Sequence, residues 1–187
     1  FNLPHYPEQP LQELKQAYPD LEMPRQSYAR VVETVDRQIG RILQKLDETD
    51  QREDTIIIFS SDNGHSEENN RGITVGYHNS GYPIGHYYLA HGSGGYTGKW
   101  IGHKATFLEG GVRVPMIISY PKELPQGIAR DQAITIMDWM PTLMDLIDLP
   151  APRNRLDGHS LLTIIKNANA PTPHPVLHFD WREDWAV

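Results

Sequence analysis

The chain has 187 residues, of which 39% are hydrophobic, and its formal net charge is −7 at pH 7. This length and composition fit one globular domain with a sizeable core. An acidic chain without a cluster of lysine or arginine gives no sign of nucleic-acid binding. The chain contains no cysteine, which excludes disulfides, thiolate metal sites and a cysteine nucleophile within it. No apolar run approaches the length of a membrane span, so we expect no membrane partner.

The first predicted elements are a helix and a strand. Residues 1–26 contain five prolines and are expected to be extended and loop-like. A helix is predicted from about Ser27, as its N-cap, to about Asp47, because apolar residues recur there at helical spacing. Thr55–Ser60 is β-branched and apolar, which predicts a buried strand of a parallel sheet. The expected fold class is therefore α/β, with a mainly parallel sheet flanked by helices.

Residues 64–111 differ in composition from the rest of the chain. They contain twelve of the fifteen glycines and five of the nine histidines, with tyrosines between them. A segment of this length without helical or strand periodicity is typical of a functional loop. Its rings could stack on sugars and form a carbohydrate-binding wall, or the segment could be a packed insertion held by its own hydrogen bonds. The members of this carbohydrate-binding wall are His78, His86, His91, Tyr77, Tyr82, Tyr87, Tyr88 and Tyr96.

Two strands and two helices are predicted further along the chain. Val112–Tyr120 is expected to be a strand, with its proline near the start. Thr135–Asp148 is expected to be a helix, with Asp138 near its beginning, where negative charge is favoured. A short helix at Leu161–Ile165 and a strand at Val176–Phe179 complete the prediction. No repeat or linker divides the chain, so a single domain is expected.

A candidate metal site follows the strand Thr55–Ser60. Asp62 and Asn63 come directly after it, and ligands of open α/β sheets bind beyond the carboxyl ends of the strands. Carboxylate and amide oxygens suit Ca²⁺ or Mg²⁺. Taken alone, the pair is more typical of an Asx turn. Two ligands also cannot complete a metal site.

Two further motifs carry groups that can act on an anion. Lys104 lies in a glycine-rich loop ahead of Glu109–Gly111 and a strand, so its ammonium can be presented to an anion at the edge of the sheet. His5 lies between Pro4 and Pro7, which limit the freedom of the backbone and pre-position the imidazole. Neither motif defines a reaction by itself.

Taken in order, these motifs resemble those of the sulfatase family, in the arylsulfatase-like branch of the alkaline-phosphatase superfamily. The stretches that carry the resemblance are Pro4–Pro7, Val35–Leu43 followed by Ser60–Gly64, Lys104–Pro115, and Ile136–Asp145 followed by Leu156–Leu161. They cover nearly the whole chain. The resemblance implies that residues 1–187 are the C-terminal portion of a sulfatase catalytic domain, with an alkaline-phosphatase-like fold that is incomplete as it stands.

The resemblance implies roles for four of these positions. Asp62 and Asn63 match a pair of divalent-metal ligands, usually for Ca²⁺. Lys104 matches the lysine that contacts the sulfate group and its bridging oxygen. His5 matches the histidine that contacts the sulfate or helps the leaving oxygen gain a proton. Cleavage of a sulfate ester builds charge on the leaving oxygen, and a metal cation, an ammonium and an imidazole all stabilise that charge.

His65 and His103 are candidate substrate-binding residues because they adjoin these positions. His65 directly follows Asn63-Gly64, and His103 directly precedes Lys104. The alternative for both side chains is hydrogen bonding within their own loops.

The chain also departs from the family pattern. The family's formylglycine nucleophile is made within a Cys/Ser-x-Pro-x-Arg motif, which does not occur here, and the first Asp-Asp metal pair is absent as well. Since the family places both upstream, we expect a truncation. The partner would then be the N-terminal half of the same enzyme, and this chain would be inactive alone. A smaller departure is Ala105, which replaces a more usual glycine.

The activity that the resemblance implies is hydrolysis of sulfate esters, with a carbohydrate as the expected substrate class. One alternative is a phosphodiesterase or phosphonate monoester hydrolase of the same superfamily, which would share the metal geometry. Another is a non-catalytic fragment that binds a sulfated ligand. A periplasmic or secreted location is favoured by the resemblance alone.

Overall fold

The structure is a computed structural model that describes residues 4–5, 8–22, 25–66, 95–150 and 152–187. Most of the predicted carbohydrate-binding wall lies outside these residues, and of its members only Tyr96 is described.

The chain forms two compact units. The prediction that residues 1–187 are one portion of a catalytic domain stays a prediction. The units comprise Phe1–Arg52 with Ile58–Ile118, and Glu53–Ile57 with Ser119–Val187.

The longest element of the first unit is helix α1, Arg25–Glu48. The predicted helix over Ser27–Asp47 is therefore confirmed, with one or two more residues at each end. Its apolar residues recur on one face, and Val31 on that face is completely buried. This burial, rather than intrinsic propensity, is the main source of stability for such a helix.

The segment that precedes α1 is tied to it by side-chain hydrogen bonds. A single 3₁₀ turn, Gln12–Leu14, ends in a buried leucine, and the N–H of Leu11 donates to Thr34 Oγ1 at 3.0 Å. The predicted N-cap at Ser27 is wrong, because the helix already begins two residues earlier. The Ser27 hydroxyl instead donates to the carboxyl group of Glu8.

Strands β1, Ile57–Ser60, and β2, Met116–Ser119, form a two-stranded sheet. The predicted start of β2 at Val112 is wrong, because Glu109–Val112 is a helical turn, α2. Pro115 comes directly before β2, where the missing N–H of proline leaves the hydrogen bonds of the strand intact. The predicted burial of β1 is also wrong among the described residues: Phe59 remains 41% exposed, since a sheet of two strands has few neighbours to cover it. The mainly parallel sheet stays a prediction.

The second unit contains two short helices and a hairpin. A 3₁₀ turn leads into α3, Trp139–Leu146, and α4 spans Leu162–Lys166, which confirms both predicted helices. The predicted strand Val176–Phe179 is wrong except for its last residue. Hydrogen-bonded pairing begins only at Phe179, where β3, Phe179–Trp181, pairs antiparallel with β4, Asp184–Ala186.

The buried side chain of Asp138 organises the second unit. Its Oδ2 accepts from the N–H of Thr135 at 2.8 Å, which completes a capping box. Its Oδ1 accepts from the N–H of His159 at 2.8 Å and from His174 Nε2 at 2.7 Å. The hydroxyl of Thr142, also fully buried, links the carbonyl of Asp138 to a further amide. The predicted position of Asp138 at the start of a helix is confirmed.

None of the helices in the described part of the chain combines the length and the apolar character needed to cross a membrane.

Candidate functional site

Two loops that are about forty residues apart in the sequence lie side by side in the first unit. The first is the metal-pair turn, residues 61–65, and the second is the lysine loop, residues 102–111. The N–H of Gly64 donates to the carbonyl of Gly111 at 2.8 Å, and the N–H of Lys104 donates to the carbonyl of His65 at 2.8 Å. These two hydrogen bonds hold the loop that carries the predicted metal ligands against the loop that carries the predicted catalytic lysine.

The two loops approach each other closely because Gly64 has no side chain. A Cβ at this position would lie 1.8 Å from the carbonyl oxygen of Gly110 and 2.9 Å from its carbonyl carbon. Real side chains do not reach such distances, so any larger residue would push the loops apart. The glycine after Asn63 therefore has a specific role, which is to permit this contact.

Asp62 and Asn63 form the predicted metal pair. The Asp62 side chain is exposed and Asn63 is half-buried. Asn63 Nδ2 donates to the carbonyl of Gly64 at 2.9 Å, so Oδ1 is the side-chain atom that can face a cation. A carboxylate and an amide oxygen fit the preference of Ca²⁺ for oxygen ligands.

The metal pair supplies only part of a coordination sphere. Ca²⁺ takes about six to eight oxygen ligands, and the described ranges contain no cluster of three or more histidine, cysteine or acidic residues placed to hold a metal ion. Metal binding by Asp62 and Asn63 therefore stays a prediction.

Lys104 and His5 meet although 99 positions separate them in the sequence. The distance from Lys104 Nζ to His5 Nε2 is 3.4 Å. An ammonium has only donors, so a hydrogen bond in this contact requires the His5 tautomer that accepts at Nε2. The two residues predicted to be catalytic thus lie at one point, and both are accessible to solvent.

One ring nitrogen of His103 forms a hydrogen bond within its own loop. Its Nδ1 lies 2.7 Å from the carbonyl oxygen of Lys104. Because a carbonyl only accepts, Nδ1 carries a proton, and in the neutral ring Nε2 is the acceptor. The predicted alternative, hydrogen bonding within the loop, therefore holds for Nδ1 of His103. Substrate binding by this residue stays a prediction. Substrate binding by His65 also stays a prediction, and its side chain packs closely on Gly95.

The lysine loop contains two features that the sequence prediction missed. Thr106 exchanges hydrogen bonds with the main chain of His103, a pattern that a hydroxyl three residues after its partner can form. Ala105 has a φ of +70°, in the left-handed region that favours glycine. Ala105, next to Lys104, therefore adopts a backbone conformation that a glycine would adopt more readily.

Outside the lysine loop, Arg113 pairs with an acidic neighbour. Its Nε donates to Glu109 Oε2 at 2.6 Å, and its guanidinium lies 4.3 Å from the centroid of the Trp100 ring. The ammonium of Lys99 lies 4.7 Å from the same ring. These contacts connect α2 with the segment that leads into the lysine loop.

Comparison with known proteins shows which family this chain resembles over most of its length. Residues 2–149 match the family model described as Sulfatase. Human steryl-sulfatase is 32% identical over 152 residues, which are 80% of this chain and 23% of that protein. Canine N-acetylgalactosamine-6-sulfatase is 29% identical over 156 residues, which are 83% of this chain and 26% of that protein. This chain therefore spans about a quarter of the length of these relatives.

The fold also has relatives among solved structures. The crystal structure of Ps i-CgsB in complex with k-i-k-neocarrahexaose aligns with a TM-score of 0.73 and 26% identity, over 92% of this chain and 33% of that one. Together with the family match over most of the chain, this similarity shows that the protein belongs to the sulfatase family.

Proposed function

We propose that the complete protein carrying this chain hydrolyses sulfate esters of carbohydrates. The observation that carries the proposal is the 3.4 Å contact between Lys104 Nζ and His5 Nε2 in a chain of the sulfatase family. The carbohydrate substrate class is supported by the names of two similar proteins, an N-acetylgalactosamine-6-sulfatase and a structure bound to k-i-k-neocarrahexaose.

The Lys104–His5 pair can supply the proton that the leaving group needs. When the ester S–O bond breaks, the bonding electron pair stays on the leaving oxygen, which gains negative charge and must be protonated. The 3.4 Å between Lys104 Nζ and His5 Nε2 allows the ammonium to donate to that ring nitrogen. Lys104 can give a proton to the leaving oxygen directly, or pass it to His5 Nε2, which then gives it to the leaving oxygen. Until that proton leaves, the ammonium stabilises the charge that develops there.

Asp62 and Asn63 are the residues of this chain that would hold Ca²⁺, or alternatively Mg²⁺. When bound, such a cation draws electron density from the sulfate oxygens. Residues elsewhere in the complete protein would supply the remaining ligands and the formylglycine nucleophile, so the N-terminal half of the same enzyme is the proposed partner.

His65 and His103 are proposed to contact the substrate at the edge of this pocket. His103 is expected to use Nε2, because Nδ1 donates to the carbonyl of Lys104. A neutral Nε2 accepts from a sugar hydroxyl, and a protonated one donates to a sulfate oxygen.

A comparison of two ester substrates tests the proposed function. The complete protein, loaded with Ca²⁺, is given an aryl sulfate and the corresponding aryl phosphate diester, and product release is followed for each. We expect kcat/KM to be at least about 100-fold higher for the sulfate. A preference for the phosphate diester would identify a different hydrolase of the superfamily. Binding of inorganic sulfate without turnover of either ester would identify a non-catalytic binding protein.

A further inference from the structure

The main chain on both sides of the Lys104 side chain is held completely by protein groups. The N–H of His103 donates to Thr106 Oγ1 at 3.2 Å, and its carbonyl accepts from the same hydroxyl at 2.8 Å. The N–H of Lys104 donates to the carbonyl of His65, and the carbonyl of Lys104 accepts from His103 Nδ1. All four polar main-chain groups of residues 103 and 104 therefore have protein partners, although water could serve such groups in a surface loop.

Thr106 contributes the largest share of this network. Its hydroxyl accepts from one main-chain group of His103 and donates to the other, and its own N–H donates to the same carbonyl at 3.0 Å. One side chain thus fixes the two peptide planes that lead into Lys104. A valine has the same shape but would leave both groups of His103 without the hydroxyl.

Two glycines leave the Thr106 hydroxyl little room to move. A Cβ at Gly102 or at Gly111 would lie 2.8 Å from Thr106 Oγ1. The backbone of the lysine loop therefore closes around this hydroxyl, and a displacement of Thr106 would be transmitted to the loop.

We propose that Thr106 is a positioning residue for Lys104. Its hydroxyl holds the main chain of His103 so that the Lys104 ammonium reaches His5 Nε2 and the leaving oxygen. The proposal rests on the proposed sulfate ester hydrolysis, in which Lys104 acts directly and Thr106 acts only through it. A misplacement of about 1 Å at a catalytic group can cost about 100-fold in rate.

The test measures kinetics of the complete protein with Thr106→Val, Thr106→Ser, Lys104→Ala and the Thr106→Val/Lys104→Ala double variant. Thr106→Val is expected to lower kcat about 10- to 100-fold and to change KM less than about threefold, because Lys104 acts mainly in the transition state. Thr106→Ser keeps the hydroxyl and should stay within about threefold of wild type. In the Lys104→Ala background, Thr106→Val should lower kcat by less than about a further twofold. Fully additive losses would overturn the proposal.

Thr97 provides a matched control in the segment just before the lysine loop. Its hydroxyl donates to the carbonyl of Trp100 at 2.8 Å, so Thr97→Val also removes one side-chain hydrogen bond to the main chain. This variant is expected to keep kcat within about twofold of wild type. Equal losses in Thr97→Val and Thr106→Val would show general loosening of the loop and would overturn a specific role for Thr106.

Amide hydrogen exchange separates this proposal from the proposed function. In Thr106→Val, exchange of the His103 amide should accelerate at least about tenfold, whereas Thr106→Ser should leave it nearly unchanged. If wild type releases no sulfate, the proposed function fails, and the exchange measurement still decides the positioning role. An unchanged exchange rate in Thr106→Val would overturn that role whatever the activity.

Discussion

Gly64 shows how a single residue determines the geometry of the site. The two loops that carry Asp62 and Lys104 contact each other at this glycine, and a Cβ there would overlap the carbonyl of Gly110. The sequence alone did not predict this role for Gly64. The close approach of a second loop depends on tertiary packing, which local sequence does not encode.

Replacing Gly64 with alanine should destabilise the protein. We expect the free energy of unfolding to fall by about 2 kcal/mol or more, because the added methyl group forces the backbone of the lysine loop to move. Urea unfolding of the complete protein measures the change. Gly40→Ala is the control: this exposed glycine of α1 has nothing within 4 Å of its Cβ position. That variant should gain up to about 1 kcal/mol. Equal effects of the two substitutions would contradict the packing at Gly64.

Lys104 and His5 could be proposed as catalytic from the sequence because the order of the motifs that contain them is specific. Lys104 and His5 belong to separate motifs, and their contact in the structure agrees with that proposal. Thr106 could not be found in this way, because its role depends on the hydrogen bonds that the folded loop makes. The left-handed conformation of Ala105 was not predicted either, although the more usual glycine at this position is the residue that favours a positive φ.

At the scale of elements, helix α1 was predictable and the strands were less so. The helix has a long apolar period, whereas β1 and β2 have four residues each. The run Val112–Tyr120 looked continuous in sequence, but its first residue completes a helical turn in which Arg113 N–H donates to the carbonyl of Glu109. Hydrogen bonds of this kind decide where an element begins, and hydrophobicity does not report them.

The Asp138 cluster joins the start of α3 to two later segments and should dominate the stability of the second unit. Asp138→Ala removes an acceptor from three donors that lie on Thr135, His159 and His174. Because these donors would be left without their partner in a buried site, we expect a loss of about 3 kcal/mol or more in the free energy of unfolding. Asp145→Ala, at an exposed position of the same helix, should change it by less than about 0.5 kcal/mol. A loss below about 1 kcal/mol for Asp138→Ala would show that the cluster does not hold the unit together.

The contact between Glu8 and Ser27 predicts a pH dependence of stability. Burial raises the pKa of the Glu8 carboxyl above its usual 4.5, and the hydrogen bond from Ser27 opposes the shift. A raised pKa in the folded state means that the carboxyl contributes most stability when protonated. This contribution is complete below the unfolded-state pKa and is lost as the pH rises through the folded-state pKa.

Glu8→Gln should remove this pH dependence, because the amide stays neutral and can still accept from Ser27. The stability of the variant relative to wild type is expected to increase between pH 4 and pH 7, by less than about 1 kcal/mol for a partly buried group. Thermal unfolding at several pH values measures the difference. A relative stability that decreases over this range would contradict the direction of the Glu8 shift.

For the whole molecule, the ordered motifs allowed the family to be recognised from sequence, and the match over residues 2–149 confirms it. The ordered motifs could not establish the parallel sheet or the complete metal site. Among the described residues the sheet that contains β1 has only two strands, β1 and β2, and the proposed ligands Asp62 and Asn63 would fill only part of a calcium coordination sphere.

The most direct test of the proposed function is sulfate release by the complete protein and its Lys104→Ala, His5→Ala and doubly substituted forms. Each single substitution should lower kcat/KM for a carbohydrate sulfate ester at least about 100-fold. The double variant should be little worse than either, because the two residues act as one pair. Lys45→Ala, at an exposed position of α1, should match wild type. Sulfate release that survives loss of both Lys104 and His5 would contradict the assignment of this pair as the catalytic centre.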